Sequence, residues 1–175
     1  MLLDKLLNPH RMSAVDISGQ PLAPLLQYVA DKEGRFVHFS TSQSDRKILE
    51  HIVRNELADE LDLVVDDASH TYEQTKASFE ILFSLLRPGG IYLIEDWSWA
   101  HHPYYQAPDA PFSKHHALLF EQLMLMGSTS LISEIRVWKF LYLIRKAKSA
   151  YSESKGESES IFDQIQSRGK KCSLI

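Results

Sequence analysis

The segments Asp66-Asp67-Ala68-Ser69-His70 and Glu95-Asp96 set carboxylates and an imidazole just after two short apolar runs. Grouped carboxylates are hard oxygen donors of the kind that hold Mg²⁺, which keeps several waters and needs few protein ligands. Without a cation they repel and raise one another's pKa. An imidazole that titrates near neutral pH suits the removal of a proton from a hydroxyl, which is a poor nucleophile until it is deprotonated or polarised by a metal. The plainer alternatives are a solvated acidic edge and, for His70, a residue that caps or packs at the start of a helix.

The apolar runs, 61–65 and 91–94, are rich in Val, Ile and Leu and short enough to be buried strands. Between them Tyr72, Phe79, Leu82, Phe83 and Leu86 recur at helical spacing, with Thr71 and Gln74 as a capping box and Pro88-Gly89-Gly90 as the stop. A strand, helix and strand joined in this way form a crossover unit whose strands are parallel, so the acidic clusters converge at the edge where open α/β sheets bind ligands. Upstream, strands are expected over 12–17 and 36–40 and helices over 24–31 and 44–55. Downstream, a segment crowded with Trp97, Trp99, His101, His102, Tyr104 and Tyr105 precedes a helix over 113–126 and two strands within 130–144. The rings are suited either to stack on the apolar face of a sugar or to pack on the sheet; His115 and His116 are expected on a helix surface.

With 44% hydrophobic and 24% charged residues among 175, the chain is expected to be globular, with one α/β domain over 1–146. Residues 147–175 are polar, too poor in apolar side chains to offset ordering entropy, and are expected to be a disordered tail. Apolar stretches fall short of the roughly 20 residues that span a bilayer, and the start lacks the basic region of a signal peptide, so no membrane partner is expected. The lone Cys172 fits a reducing compartment, with the cytoplasm as the default. The net charge of −4 divides unevenly: from 145 onward seven Lys or Arg face four Asp or Glu, which leaves an acidic body with no nucleic-acid signature. The ending Cys172-Ser173-Leu174-Ile175 superficially matches a prenylation box, though Ser occupies an aliphatic position.

Asp16 after a strand, Thr41-Ser42-Gln43-Ser44-Asp45 after the next, Val-Val-Asp-Asp-Ala-Ser-His, Arg-Pro-Gly-Gly and Ile-Glu-Asp-Trp together resemble class I S-adenosylmethionine-dependent methyltransferases. More narrowly they resemble the metal-dependent macrolide-sugar O-methyltransferases and the related cephalosporin-hydroxylase-like proteins. The resemblance covers roughly residues 12–145 and implies a Rossmann-like doubly wound sheet. It implies that Asp16 accepts from the ribose hydroxyls of S-adenosylmethionine, where the residue's own reading is a turn before Ser18-Gly19. It places Ser44 and Asp45 at the adenine edge, where the alternative is an N-cap with a dipole-favouring carboxylate. Asp66, Glu95 and Asp96, with Asp67 as a fourth, are the implied Mg²⁺ ligands; Asp66 also borders the cofactor, and His70 is the implied base.

The class opens with a strand and a glycine-rich turn that nothing in this sequence supplies, so on the resemblance the chain looks amino-terminally truncated. Open sheet edges then make self-association an expectation. Two functions follow: Mg²⁺-assisted methylation of a sugar or other small-molecule hydroxyl, or a non-catalytic fragment or scaffold of the same fold.

Overall fold

Short strands and amphipathic helices alternate as the apolar periodicity requires. The computed structural model describes residues 2–19, 23–31, 34–105, 112, 114–149, 160–167 and 170–171. The Cys172 to Ile175 ending therefore lies outside the described residues, as does Ser113. The chain divides into two compact units, Met1–Glu60 and Leu61–Ile175, where the sequence suggests a single domain over 1–146. Among the described residues no helix is long and apolar enough to cross a membrane.

In the first unit, α1 (Leu2–Leu7), β1 (Met12–Asp16), α2 (Ala23–Ala30), β2 (Phe36–Ser40) and α3 (Arg46–His51) follow in order. β1 and β2 pair in parallel, from Met12 opposite Phe36 to Asp16 opposite Ser40. Buried Asp4 accepts from the Tyr28 hydroxyl and from Arg35 Nη2, which ties α1 to α2 and to the approach to β2. The helix expected to run without change over 44–55 widens after His51 into a π-helical turn, Ile52–Glu56, with Leu49, Ile52 and Val53 buried. Asp45, rather than Ser44, caps it: Oδ1 accepts from Ile48 N at 3.1 Å.

The second unit holds β3 (Leu61–Asp66), α4 (Tyr72–Leu85), β4 (Leu86–Glu95), α5 (His115–Ser128), β5 (Ile132–Val137) and β6 (Leu141–Lys146). The sheet order is β3-β4-β6-β5, with β3 and β4 parallel and the later pairs antiparallel. Tyr92, Ile94, Tyr142 and Ile144 are fully buried, alternating along β4 and β6 as a pleated face requires. Phe79 and Phe83 of α4 and Leu118 and Leu125 of α5 complete this core. The helix ends at Leu85, ahead of the expected Pro88-Gly89-Gly90 stop, and the glycines shape the start of β4: Gly89 has φ +81°, and a Cβ on Gly90 would stand 2.7 Å from Leu86 Cγ and 2.9 Å from the Arg87 carbonyl. Thr71 is the N-cap of α4, but its side chain makes no capping hydrogen bond, so the expected capping box does not form there. Ser69 Oγ instead accepts from Thr71 N at 3.3 Å.

Part of the segment expected to be a disordered tail is built. Ile161–Gln164 form a 3-10 turn, and Gln166–Ser167 (β7) pair with Lys170–Lys171 (β8). Phe162 and Ile165 are buried, the Phe162 ring lies 5.9 Å from Phe79, and Ser160 Oγ bonds to Glu80. Two apolar side chains in a polar run suffice to dock it because α4 offers an aromatic surface. Lys146 closes the other end of α4: its Nζ donates to the carbonyls of Phe83 (3.0 Å), Ser84 (2.9 Å) and Leu86 (2.7 Å), groups a helix end leaves without intrahelical partners.

Lys146→Met therefore strips a donor from three carbonyls and is expected to destabilise this unit by about 2 kcal/mol. Lys148→Met, at an exposed position, should change stability by less than about 0.5 kcal/mol. Urea unfolding followed by tryptophan fluorescence reads the second unit alone, since Trp97, Trp99 and Trp138 all lie in it; equal midpoints for both variants would contradict the assignment.

Candidate functional site

β3 and β4 run parallel with Asp66 opposite Ile94, so their carboxyl ends share one edge. The pleat separates the two adjacent aspartates. Asp66 is buried, and its Oδ2 accepts from Ser78 Oγ and from Tyr92 OH (2.9 Å). Burial lifts the Asp66 carboxyl above its ordinary range, against the opposing pull of the two hydroxyls. Burial, and then the charge of Asp66, holds the Tyr92 phenol well above its own. Asp66, expected to hold both metal and cofactor, thus has one oxygen engaged inside the sheet, and the side chain exposed at the edge is Asp67.

The edge gathers two of the four carboxylates read in the sequence as ligands, together with the histidine read as the base. One ligand atom each from Asp67, His70 and Asp96 lies within 4.8 Å of the others, and His70 Nε2 is 3.7 Å from Asp67 Oδ1. Octahedral Mg²⁺ at about 2.1 Å puts adjacent ligand atoms about 3 Å and opposite ones about 4 Å apart, so small rotations of these side chains suffice. Glu95 stands beside them: burial first, then the charges of Asp67 and Asp96, push its carboxyl upward. The donor set, two carboxylates and an imidazole with a third carboxylate beside them, fits a divalent cation.

Two of the three residues occupy strained backbone. His70 and Asp96 both have φ 54°, a left-handed conformation that costs a side-chain-bearing residue roughly 1 kcal/mol or more and is kept chiefly where a site depends on it. Asp96 is held by its N–H donating to the Phe140 carbonyl, and the following Trp97 Nε1 donates to the Trp138 carbonyl at 2.9 Å. Beside His70, Trp99 stacks on Tyr105 at 4.8 Å and 7°, with Phe112 edge-on to both, while Tyr104 stands 82% exposed.

In the first unit Asp16 is exposed, and its Oδ1 accepts from Ser18 N at 2.8 Å, the turn geometry of the plainer reading. Thr41 donates from N to the Asp16 carbonyl and from Oγ1 to Asp45 Oδ2, which brings Asp16 and Asp45 to one strand edge. Ser44 Oγ is 2.9 Å from Ser42 Oγ. Asp45 thus serves as cap, and a carboxylate with four lone-pair sites retains acceptor capacity beyond that.

Sequence reasoning missed Ser78 and Tyr92 as partners of Asp66, although a tyrosine inside an apolar strand signals a hydroxyl in need of one. It also misplaced His115. At the first turn of α5 this ring is buried, and neither of its nitrogens hydrogen-bonds among the described residues. Burial, then the proximity of His70 and His116, lowers its pKa to about 4.

The profile of a methyltransferase-domain family matches residues 5–97, more than half of the chain, and the chain belongs to that family. It is 41% identical over 61 residues to mycinamicin VI 2''-O-methyltransferase of Micromonospora griseorubida, 35% of this chain and 15% of that protein. It is 50% identical over 42 residues to demethylmacrocin O-methyltransferase of Streptomyces fradiae, 24% of this chain and 11% of that protein. The structure superposes on MycE methyltransferase of the mycinamycin pathway, solved with Mg, SAH and mycinamycin VI, with a TM-score of 0.61 and 20% identity over 86% of this chain and 49% of the other. The fold is the Rossmann-like α/β fold of class I methyltransferases, and the chain spans about half the length of MycE.

His115 carries a pH signature. Below its unfolded value of 6.5 the unfolded chain takes a proton that the folded chain refuses until about pH 4, so stability falls as pH drops through that window. Relative to wild type, His115→Phe should gain about 2 kcal/mol on going from about pH 7 to about pH 5. Urea titrations at the two pH values measure it, and a constant difference would contradict the burial of a neutral ring.

Proposed function

We propose that this chain carries the metal-binding residues and the cofactor-binding residues of an S-adenosylmethionine-dependent, Mg²⁺-assisted O-methyltransferase whose acceptor is a hydroxyl of a sugar or other small molecule. The observation that carries the reading is the meeting of Asp67, His70 and Asp96 at one strand edge of a methyltransferase-family chain. The names of the two relatives speak of O-methylation, and the similar MycE structure holds Mg and SAH, the demethylated form of the cofactor.

Asp67 and Asp96 hold the cation in this reading, with Glu95 as a neighbouring oxygen donor. S-adenosylmethionine supplies the methyl group, and Mg²⁺ supplies Lewis acidity that eases deprotonation of a hydroxyl. His70 takes the hydroxyl proton; only 12% of its side chain is exposed, which limits competing water. Asp66 keeps the end of β3 in place from beneath. Asp16 accepts from the ribose hydroxyls, and Asp45 with Ser44 contacts the adenine edge.

A second role for His70 has its own support, since its ring nitrogen belongs to the same 4.8 Å set: it serves as a third ligand. Calorimetry with S-adenosylmethionine, with and without Mg²⁺, tests the proposal. The folded chain should bind, Asp16→Ala should weaken binding about tenfold or more, and Asp67→Asn with Asp96→Asn should abolish the response to Mg²⁺. His70→Ala keeps Mg²⁺ affinity if the histidine is a base and loses it if it is a ligand. A folded chain that binds neither cofactor nor Mg²⁺ would overturn the proposal in favour of a non-catalytic scaffold.

A further inference from the structure

The aromatic residues after β4 were expected either to face a sugar or to pack on the sheet. Trp97 packs on the sheet, edge-on to Tyr142 of β6, while Trp99 and Tyr105 contact each other, Phe112 and the site. Trp99 is the junction: its ring centroid lies 4.5 Å from that of His70, 4.8 Å from Tyr105 and 5.4 Å from Phe112. Tyr105 and Phe112 also touch each other, at 5.3 Å, so the indole is backed by a braced pair. His70 needs such backing. It sits in a left-handed corner between β3 and α4 and is only 12% exposed, and its Nε2 lies 3.7 Å from the carboxylate of half-exposed Asp67, too far for a hydrogen bond to fix it. An imidazole on a short loop has two free torsions, and for a base or a ligand a small misplacement is costly.

We propose that Trp99 is a positioning residue that fixes the His70 ring toward Asp67 and Asp96. The inference rests on the reading of this edge as the working site but not on the metal being present. Trp97, two residues earlier, acts on the opposite corner, since its indole N–H holds the Trp138 carbonyl of the hairpin that also binds the Asp96 N–H. The segment following β4 thereby supports both strained residues of the cluster, and Trp97 provides an internal control, being in the same segment with its ring against Tyr142 and its N–H on the Trp138 carbonyl.

Two readouts of the whole chain test this without turnover. The first is the chemical shift of the His70 ring protons, assigned by their loss in His70→Gln; the second is the rate of His70 modification by diethyl pyrocarbonate, read by peptide mass. In wild type the ring protons should be displaced upfield by the indole, and modification should be slow. Trp99→Ala should return the shifts toward those of a free histidine and speed modification severalfold, Trp99→Phe should restore part of both, and Trp97→Phe should change neither. If Trp99→Ala does not fold, Trp99→Leu keeps the apolar volume without the ring current and serves in its place. Unchanged His70 shifts and modification in a folded Trp99 variant, even with a lower melting temperature, would overturn the inference and leave Trp99 as packing for Tyr105 and Phe112. Mn²⁺ affinity is read in parallel and should weaken about tenfold or more in Trp99→Ala if His70 is a ligand. A wild type that binds no Mn²⁺ would sink the metal reading alone, because the shifts and modification rates still decide the role of Trp99.

Discussion

A carboxylate buried beneath the end of a parallel strand pair sets the geometry of everything at this edge. Placing Asp66 out of water costs several kcal/mol unless the charge is bonded, and the Ser78 and Tyr92 hydroxyls supply those bonds from α4 and β4. One side chain thereby ties the end of β3 to both of its neighbours. Because successive residues of a strand face opposite sides, anchoring Asp66 inward turns Asp67 outward. The chain then has four residues in which to reach Tyr72 at the start of α4, and it does so through the left-handed corner at His70. On β4 the same parity puts Tyr92 and Ile94 inside and leaves Glu95 partly exposed, and a second left-handed corner follows at Asp96. The cluster at the edge is the consequence of the carboxylate buried beneath it.

That arrangement needs a firm foundation, and the second unit is packed to provide it. Tyr72 OH donates to buried Glu121 at 2.8 Å, and Lys76 pairs with the same carboxylate, linking α4 to α5. Lys146 from β6 satisfies the closing carbonyls of α4, and Phe162 packs against its aromatic face. Ser78, which holds Asp66, lies on the helix that these contacts immobilise. Packing energy far from the edge is thus expressed as precision at the edge.

Much of this was legible in the sequence. The apolar runs ending in acidic residues became β3 and β4, and their parallel pairing brought Asp67 and Asp96 together as a crossover unit must. What could not be read was parity. Asp66 and Asp67 are chemically identical neighbours, and which one turns inward depends on where the pleat begins, a matter of tertiary register. Asp45 displaced Ser44 as the cap because adjacent residues with similar capping ability are separated only by backbone angles. His115 resembled a surface residue because a histidine gives no burial signal of its own, and the docked turn at Ile161–Gln164 was hidden by the polar residues around it.

Anomalous diffraction from crystals of this chain grown with Mn²⁺ addresses the central claim, that Asp66 is the buried anchor and Asp67, His70 and Asp96 are the working set at the edge. The account predicts a manganese peak within bonding distance of the Asp67 and Asp96 carboxylates, beside His70, with Asp66 still bonded to Ser78 and Tyr92. A peak on Asp66 with those two hydroxyl bonds broken, or no peak at this edge, would contradict it.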